Sequence, residues 1–320
     1  MNGRRFELGA PDLAPWRAGN TGVEGVWRFD SGQPGRDTMV SALVHGNELC
    51  GAWALCAALA AGLRPRRGAL SLVLANLDAF DRFDAAAPDD SRFVATDMNR
   101  LWGAMAWRDQ PESHRSEHHR VLALAPWVER SDWLLDLHSM HEPGEPLGLV
   151  GPLAHHAAQA RQLGAPALLV ADAGHSAGRR MRDHGAYGRA DAGGHFSLLV
   201  ECGFHGAPSS VTVALDVMAR FLLASGVLDA ADLPSGWLQA TPAPAQRLLR
   251  VTDAVTVAAG EPPRFVRAWR SGETVASAGT LVGWNGDQAV LTPYDDCVLI
   301  MPTLVHAAPG ATLLRFARQD

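Results

Sequence analysis

The sequence predicts an α/β fold, a sheet covered by helices on both faces, with a small all-β region after it. Up to about Asp232, short β-leaning apolar runs alternate with longer helical ones, the pattern of strands joined through helices. There the texture changes: Pro234, Gly236, Pro242 and Pro244 form a linker, and β-type runs follow without helical patterns between them. A chain of 320 residues buries roughly three quarters of its unfolded surface, so a large core is expected. Two domains follow from this reading, 1–234 and 235–320.

The elements come in order. Thr38 to Val44 (TMVSALV) is an apolar strand, and Asn47 to Ala61 is an Ala- and Leu-rich helix stopped by Gly62. Ala69 to Ala75 (ALSLVLA) is a second buried strand. From Leu77 to Arg100 no period survives and Asp and Pro recur, which predicts a long loop of the kind that often carries function. Glu112 to Arg130 has a helical pattern, and Trp133 to Leu137 (WLLDL) is a strand. Further strands are expected at Leu147 to Val150, Ala167 to Ala171 and Phe196 to Glu201, with helices at Leu153 to Leu163 and Ser209 to Ser225. In the C-terminal region the runs are Leu248 to Val257, Phe265 to Trp269, Thr280 to Val282, Ala289 to Thr292, Val298 to Met301 and Thr312 to Phe316.

Composition narrows the function. Hydrophobic residues at 47% and charged residues at 19% suit a soluble globular protein. A net charge of -6, with a pI near 6.1 and no basic block, argues against nucleic acid or an anionic membrane as partner. The two arginines near the start have no apolar run behind them, so no secretory signal is expected. The most apolar stretch, Leu49 to Leu63, is too short to span a bilayer. Cys50, Cys56, Cys202 and Cys297 are scattered without a CxxC pair and read as reduced, buried thiols of a cytoplasmic protein.

Four local signals carry chemistry. His45 and Glu48, in His45-Gly46-Asn47-Glu48 where a strand meets a helix, can point the same way and share one small cation. His138 ends the strand Trp133 to Leu137, with Asp136 two residues earlier as a candidate partner for its ring. Glu201 closes the apolar run Phe196 to Val200, where a charge is costly unless it has a partner or a task. Two histidines and a carboxylate are a familiar catalytic zinc set with room for water, and a further carboxylate can take that water's proton. Strand C-termini are where open α/β sheets place their sites. The fourth signal is the loop Arg92 to Arg100 (RFVATDMNR), whose arginines and asparagine suit an anionic substrate, or else form ordinary salt bridges in a solvated loop.

These motifs resemble the succinylglutamate desuccinylase and aspartoacylase family, relatives of the zinc carboxypeptidases. VHGNE at Val44 to Glu48, RFVATDMNR at Arg92 to Arg100, LDLH at Leu135 to His138 and VECG at Val200 to Gly203 match in order. Asp296-Cys297-Val298 followed by Met301-Pro302 resembles the family's C-terminal β domain. The resemblance implies a mixed sheet flanked by helices, zinc carboxypeptidase-like, and one Zn2+ held by His45, Glu48 and His138. It implies Glu201 as general base, Arg92 as the group that polarises the scissile carbonyl, and Asn99 and Arg100 as binders of a substrate carboxylate. The implied reaction is hydrolysis of an amide bond in a small carboxylate-bearing N-acyl amino acid. The alternatives are a carboxypeptidase acting on peptides and a zinc-dependent binding protein without turnover. A homodimer is left open.

The chain departs from aspartoacylase at the substrate-reading end. That enzyme uses a further arginine before the base and a tyrosine from the C-terminal domain. Arg189 is the nearest candidate for the arginine, in competition with Arg179, Arg180 and Arg182. No tyrosine follows Pro302; His306 lies in that region and Tyr294 comes earlier. Trp102, His141 and His205 are further candidates for the pocket wall, whereas His118-His119 and His155-His156 are expected to face solvent.

Overall fold

Strands whose residues are buried on both faces form the middle of the sheet. Residues 6–103, 116–175, 178–191, 193–239, 245–305 and 307–320 are described in a computed structural model. β2 (Asp37–Ala42), β3 (Ala69–Leu74), β4 (Trp133–Met140) and β7 (Phe196–Phe204) run parallel in the order β3-β2-β4-β7. Their near-continuous apolar runs are what a sheet covered on both sides requires. β1 (Val26–Asp30) adds antiparallel to β3 at one edge. β5 (Leu147–Leu149) pairs antiparallel with β7 and parallel with β6 (Leu168–Ala171), which makes the sheet mixed.

Alternation along the strands separates two cores. Val40, Leu70, Leu72, Leu135, Leu137, Leu198 and Val200 face one way. There they meet α1 (Leu49–Ala60), α4 (Ala154–Leu163) and α5 (Ser209–Ser225). Met39, Val73 and Leu134 face the other way, against α3 (Ser116–Arg130). The pleat therefore sends His138, even-numbered like Leu134, away from the α1 side. Glu201 shares a face with Leu199 by the same rule.

From Arg247 onward the described residues contain strands and no helix. The first of them, β8 (Arg247–Thr256), pairs in parallel with β6 and extends the main sheet through β14 (Thr312–Gln319), β13 (Cys297–Ile300) and β10 (Glu273–Val275). β9 (Arg264–Phe265), β11 (Leu281–Asn285) and β12 (Gln288–Leu291) make a separate three-stranded sheet. The change of texture near Asp232 is thus not a break in the hydrogen-bonded ladder.

Several expectations change in detail. β1 and β10 carry too short an apolar signal to stand out. The loop after Leu77 holds a one-turn helix α2 (Leu77–Phe80) and 3-10 turns at Pro88–Ser91 and Met98–Arg100. The strand expected over Phe265 to Trp269 ends at Phe265. Residues 112–115 of the expected helix, the linker prolines Pro242 and Pro244, and His306 lie outside the described residues. His118 and His156 are buried rather than solvent-facing. His156 packs under Arg182, whose Nη2 donates to its Nδ1 at 2.8 Å. No helix among the described residues is long and apolar enough to cross a membrane.

Candidate metal centre and active site

His45 reaches the site because the chain turns sharply as β2 ends. Leu43 takes a left-handed φ of 60°, uncommon for a residue with a side chain. Gly46 follows in a cleft that no larger residue fits. A Cβ there would lie 2.4 Å from the Ser91 carbonyl oxygen and from the Ala79 carbonyl carbon. This close approach explains glycine in the VHGNE motif. Its N–H donates to the Arg92 carbonyl at 3.1 Å, which ties that loop to the strand end. Glu48 then enters α1 with its side chain beneath His45.

The two imidazoles flank one carboxylate. His45 Nδ1 lies 2.8 Å from Oε1 of Glu48, and His138 Nδ1 lies 2.8 Å from its Oε2. The three side chains are buried, and one ligand atom from each lies within 4.8 Å of the others. Both outer ring nitrogens meet carboxylates: His45 Nε2 faces Asp97 at 2.9 Å and His138 Nε2 faces Asp136 at 2.8 Å. A carboxylate behind each ring fixes its orientation, as in metal sites generally. Carboxylate oxygens only accept, so the Nδ1 protons of both rings point at Glu48. A divalent cation would replace those two protons charge for charge. The donor set and its burial fit such an ion.

Electrostatics agree with a tightly coupled centre. Burial would raise the Glu48 carboxyl, yet His45 and His138 outweigh it and hold it well below the usual range. Burial likewise opposes charge on Asp97, but His45, Arg92 and Arg100 keep it low. Glu201 is the opposite case. β4 and β7 pair His138 directly with Glu201, so the carboxyl stands beside the triad without joining it. Burial first, then the charge of Glu48, pushes it up to about 8. Its Oε2 is buried without a hydrogen-bond partner among the described residues. A carboxyl set apart in this way is suited to exchanging a proton.

A cavity of about 560 Å³ opens over these groups, with Arg92, Asn99, Arg100, Arg180 and Arg315 on its wall. Arg92 Nη1 lies 3.2 Å from Oε1 of Glu48. The Arg92 to Arg100 loop is anchored by Glu117 of α3, a fully buried carboxylate that accepts from the N–H groups of Val94, Ala95 and Thr96. Asn99 is wedged behind the site. Its Nδ2 lies 3.3 Å from His138 Nε2, and its Oδ1 accepts from the Met181 N–H. Arg100 pairs with Asp97 at 3.5 Å.

Three relatives of known structure share this arrangement of the chain. The succinylglutamate desuccinylase of Vibrio parahaemolyticus is 14% identical, with a TM-score of 0.64 over 92% of this chain and 86% of that one. A succinylglutamate desuccinylase/aspartoacylase from Rhodobacter sphaeroides is 18% identical (TM-score 0.61, 93% and 90% covered). The ectoine utilization protein of Ruegeria pomeroyi, solved with product bound, is 17% identical (TM-score 0.61, 92% and 89% covered). At such identities the likeness concerns the fold. No curated protein matches the sequence. The deciding match is to the succinylglutamate desuccinylase/aspartoacylase catalytic domain, over residues 34–191. Over that stretch the chain is similar to this family.

Of the residues that the family resemblance singles out, His45, Glu48, His138, Glu201, Arg92, Asn99 and Arg100 meet around one cavity, whereas Arg189 does not. The Arg189 side chain is 65% exposed and pairs with Asp191 at 3.3 Å, because the turn ending at Gly188 leads it out to solvent. Its three competitors divide. Arg179 is exposed, Arg182 is buried beneath the sheet against His156 and Ser197, and Arg180 lines the cavity. Tyr294 bonds Thr252 and is not on the cavity wall. Trp102 is buried behind His184, which meets its carbonyl oxygen, and does not line the cavity. His141 does line it, while His205 is buried behind.

Sequence reading missed two groups. Asp97 lay inside the RFVATDMNR motif and could have been marked as a partner for a ligand histidine. Arg315 could not. It comes from β14 and reaches the cavity beside Arg180, both guanidinium groups leaning on the buried Asp172, at 3.4 Å and 3.1 Å.

Proposed function

We propose that this protein is a zinc-dependent hydrolase that cuts the amide bond of a small, carboxylate-bearing N-acyl amino acid. The observation that carries this reading is the pairing of His138 with Glu201 across β4 and β7, which sets a proton-accepting carboxyl beside a buried His-Glu-His cluster. His45, Glu48 and His138 are the residues that would hold the ion. Bound there, zinc supplies a Lewis acid that polarises a carbonyl and acidifies water, and its charge favours the ionised form of Glu201.

The chain's own groups do the rest. Glu201 takes a proton from the attacking water and returns it to the departing nitrogen. Arg92 donates to the oxygen that gains charge as the carbonyl carbon becomes tetrahedral. Arg100, with Asn99 behind it, and the Arg180–Arg315 pair receive carboxylates of the substrate, since guanidinium matches their geometry. Asp97 and Asp136 keep the histidine rings turned inward.

The reading extends to a zinc carboxypeptidase-like catalytic domain (1–234) and a C-terminal β domain (235–320). The latter contributes Met301, Thr312 and Arg315 to the cavity wall. Four buried cysteines without a disulfide among the described residues support a cytoplasmic setting.

A panel of N-acyl amino acids, with short peptides as controls, tests this on zinc-loaded protein. Release of free amino acid from members of the panel, absent after chelation and restored by zinc, is the expected result. Turnover confined to peptides would replace the reading by that of a carboxypeptidase. Tight zinc binding without turnover of anything would reduce it to a binding protein.

A further inference from the structure

Arg92 is backed by two histidines for which the reaction above has no role. Its Nη1 lies 3.3 Å from Nε2 of His141. A guanidinium only donates, so this Nε2 carries the lone pair and the ring proton of His141 sits on Nδ1. Acceptors in reach of Nδ1 include Oδ1 of Asp89 at 3.2 Å and Nε2 of His205 at 3.3 Å. The other nitrogen of His205 meets Oγ of Ser139 at 2.7 Å. The Ser139 backbone N–H donates to Oε2 of Glu48 at 3.1 Å, and Arg92 itself donates to the other oxygen of Glu48. A closed ring of contacts thus runs from Glu48 through Arg92, His141, His205 and Ser139 back to Glu48.

The arrangement works only while His141 is neutral, because a cationic ring has no lone pair for Arg92 and would repel it. The surroundings keep it so. Burial lowers its proton affinity and Arg92 adds to this, against the opposing pull of Asp89 and Glu48. Burial and His141 do the same to His205. On its other side, among the described residues, Arg92 meets the anionic groups Glu48 at 3.2 Å and Asp97 at 3.7 Å. These draw the guanidinium down onto the groups that would hold the ion, and a neutral acceptor on the cavity wall opposes that pull.

We propose that His141 is a positioning residue that holds the Arg92 guanidinium out toward the reacting carbonyl, with Asp89 and His205 selecting the ring tautomer that makes this possible. The inference rests on the reading of Arg92 given above, and it assigns work to a histidine outside the four motifs.

Two measurements test it on zinc-loaded protein. In two-bond proton–nitrogen spectra of 15N-labelled protein at neutral pH, His141 is expected as the Nδ1–H tautomer; the Nε2–H tautomer or a doubly protonated ring would overturn the proposal. In kinetics, His141→Leu is expected to lower kcat about tenfold to a hundredfold with KM within about threefold, the signature of an interaction needed in the transition state. His141→Gln, whose Oε1 can take the place of Nε2, is expected to recover most of the loss. Unchanged kcat in His141→Leu, or a glutamine variant no better than leucine, would also overturn it. Should no substrate be turned over at all, the hydrolase reading fails while the tautomer measurement still decides this one.

Discussion

The two halves of the cavity are built in different ways. The half around the candidate metal ligands comes from the ends of parallel strands. His45 follows β2, His138 lies in β4 and Glu201 in β7, and the ladder between β4 and β7 fixes the last two opposite each other. The arginine half is assembled from segments far apart in sequence: Arg100 from the loop after β3, Arg180 from the loop after β6, and Arg315 from β14 near the chain's end. Strand ends are positioned by a rigid sheet and tolerate little change. The arginines are long side chains held by shared carboxylates, Asp97 for Arg100 and Asp172 for the other two. The difference teaches that backbone register fixes the first half, while the second is held by ion pairs that can be rearranged singly.

Substitutions in the first half are expected to remove turnover and those in the second to change affinity. The largest loss is expected for Glu201→Gln, about 10²–10⁴ in kcat, with zinc retained on metal analysis. Preserved turnover would take the base away from this residue. Arg92→Ala should follow, at about 10²–10³ in kcat, or about 3–4 kcal/mol of barrier, in a protein that still melts cooperatively.

Arg315→Gln probes the other half. It should raise KM about tenfold or more with kcat little changed, as loss of a charged hydrogen bond to substrate predicts. Arg189→Ala, on the exposed turn, should leave KM within about twofold. A fall in kcat alone for Arg315→Gln would erase the contrast between the halves.

The smallest effect concerns stability away from the cavity. Burial, then the charge of Arg182, pushes His156 down to about 3. The folded state therefore keeps this ring neutral, while the unfolded chain takes up a proton near pH 6.5. Its contribution is complete above that pH and is lost as the pH falls toward 3, reaching about 2 kcal/mol at pH 5. Urea midpoints at pH 8 and pH 5 should differ less in His156→Gln, whose side chain stays neutral, than in the unmodified protein.

Much of the catalytic half was readable in the chain. VHGNE, LDLH and VECG are short motifs at strand ends, and their residues need only a parallel sheet to meet. The α/β alternation that signals such a sheet was equally plain, with β2, β4, β7 and α5 close to their expected bounds. Arg189 shows where this reasoning fails: proximity in sequence to Glu201 was the only guide, and the turn at 185–188 sends the side chain outward.

The sequence by itself thus determined the candidate His-Glu-His cluster, the neighbouring carboxylate and the kind of sheet that holds them, because each depends on local pattern and strand periodicity. Tertiary structure alone decided which arginines face the cavity, that Glu117 anchors the loop carrying Arg92, and that His141 stands behind that arginine. Those contacts join segments whose separation along the chain leaves no periodic trace, and a long side chain's direction is settled only by the charges that folding brings around it.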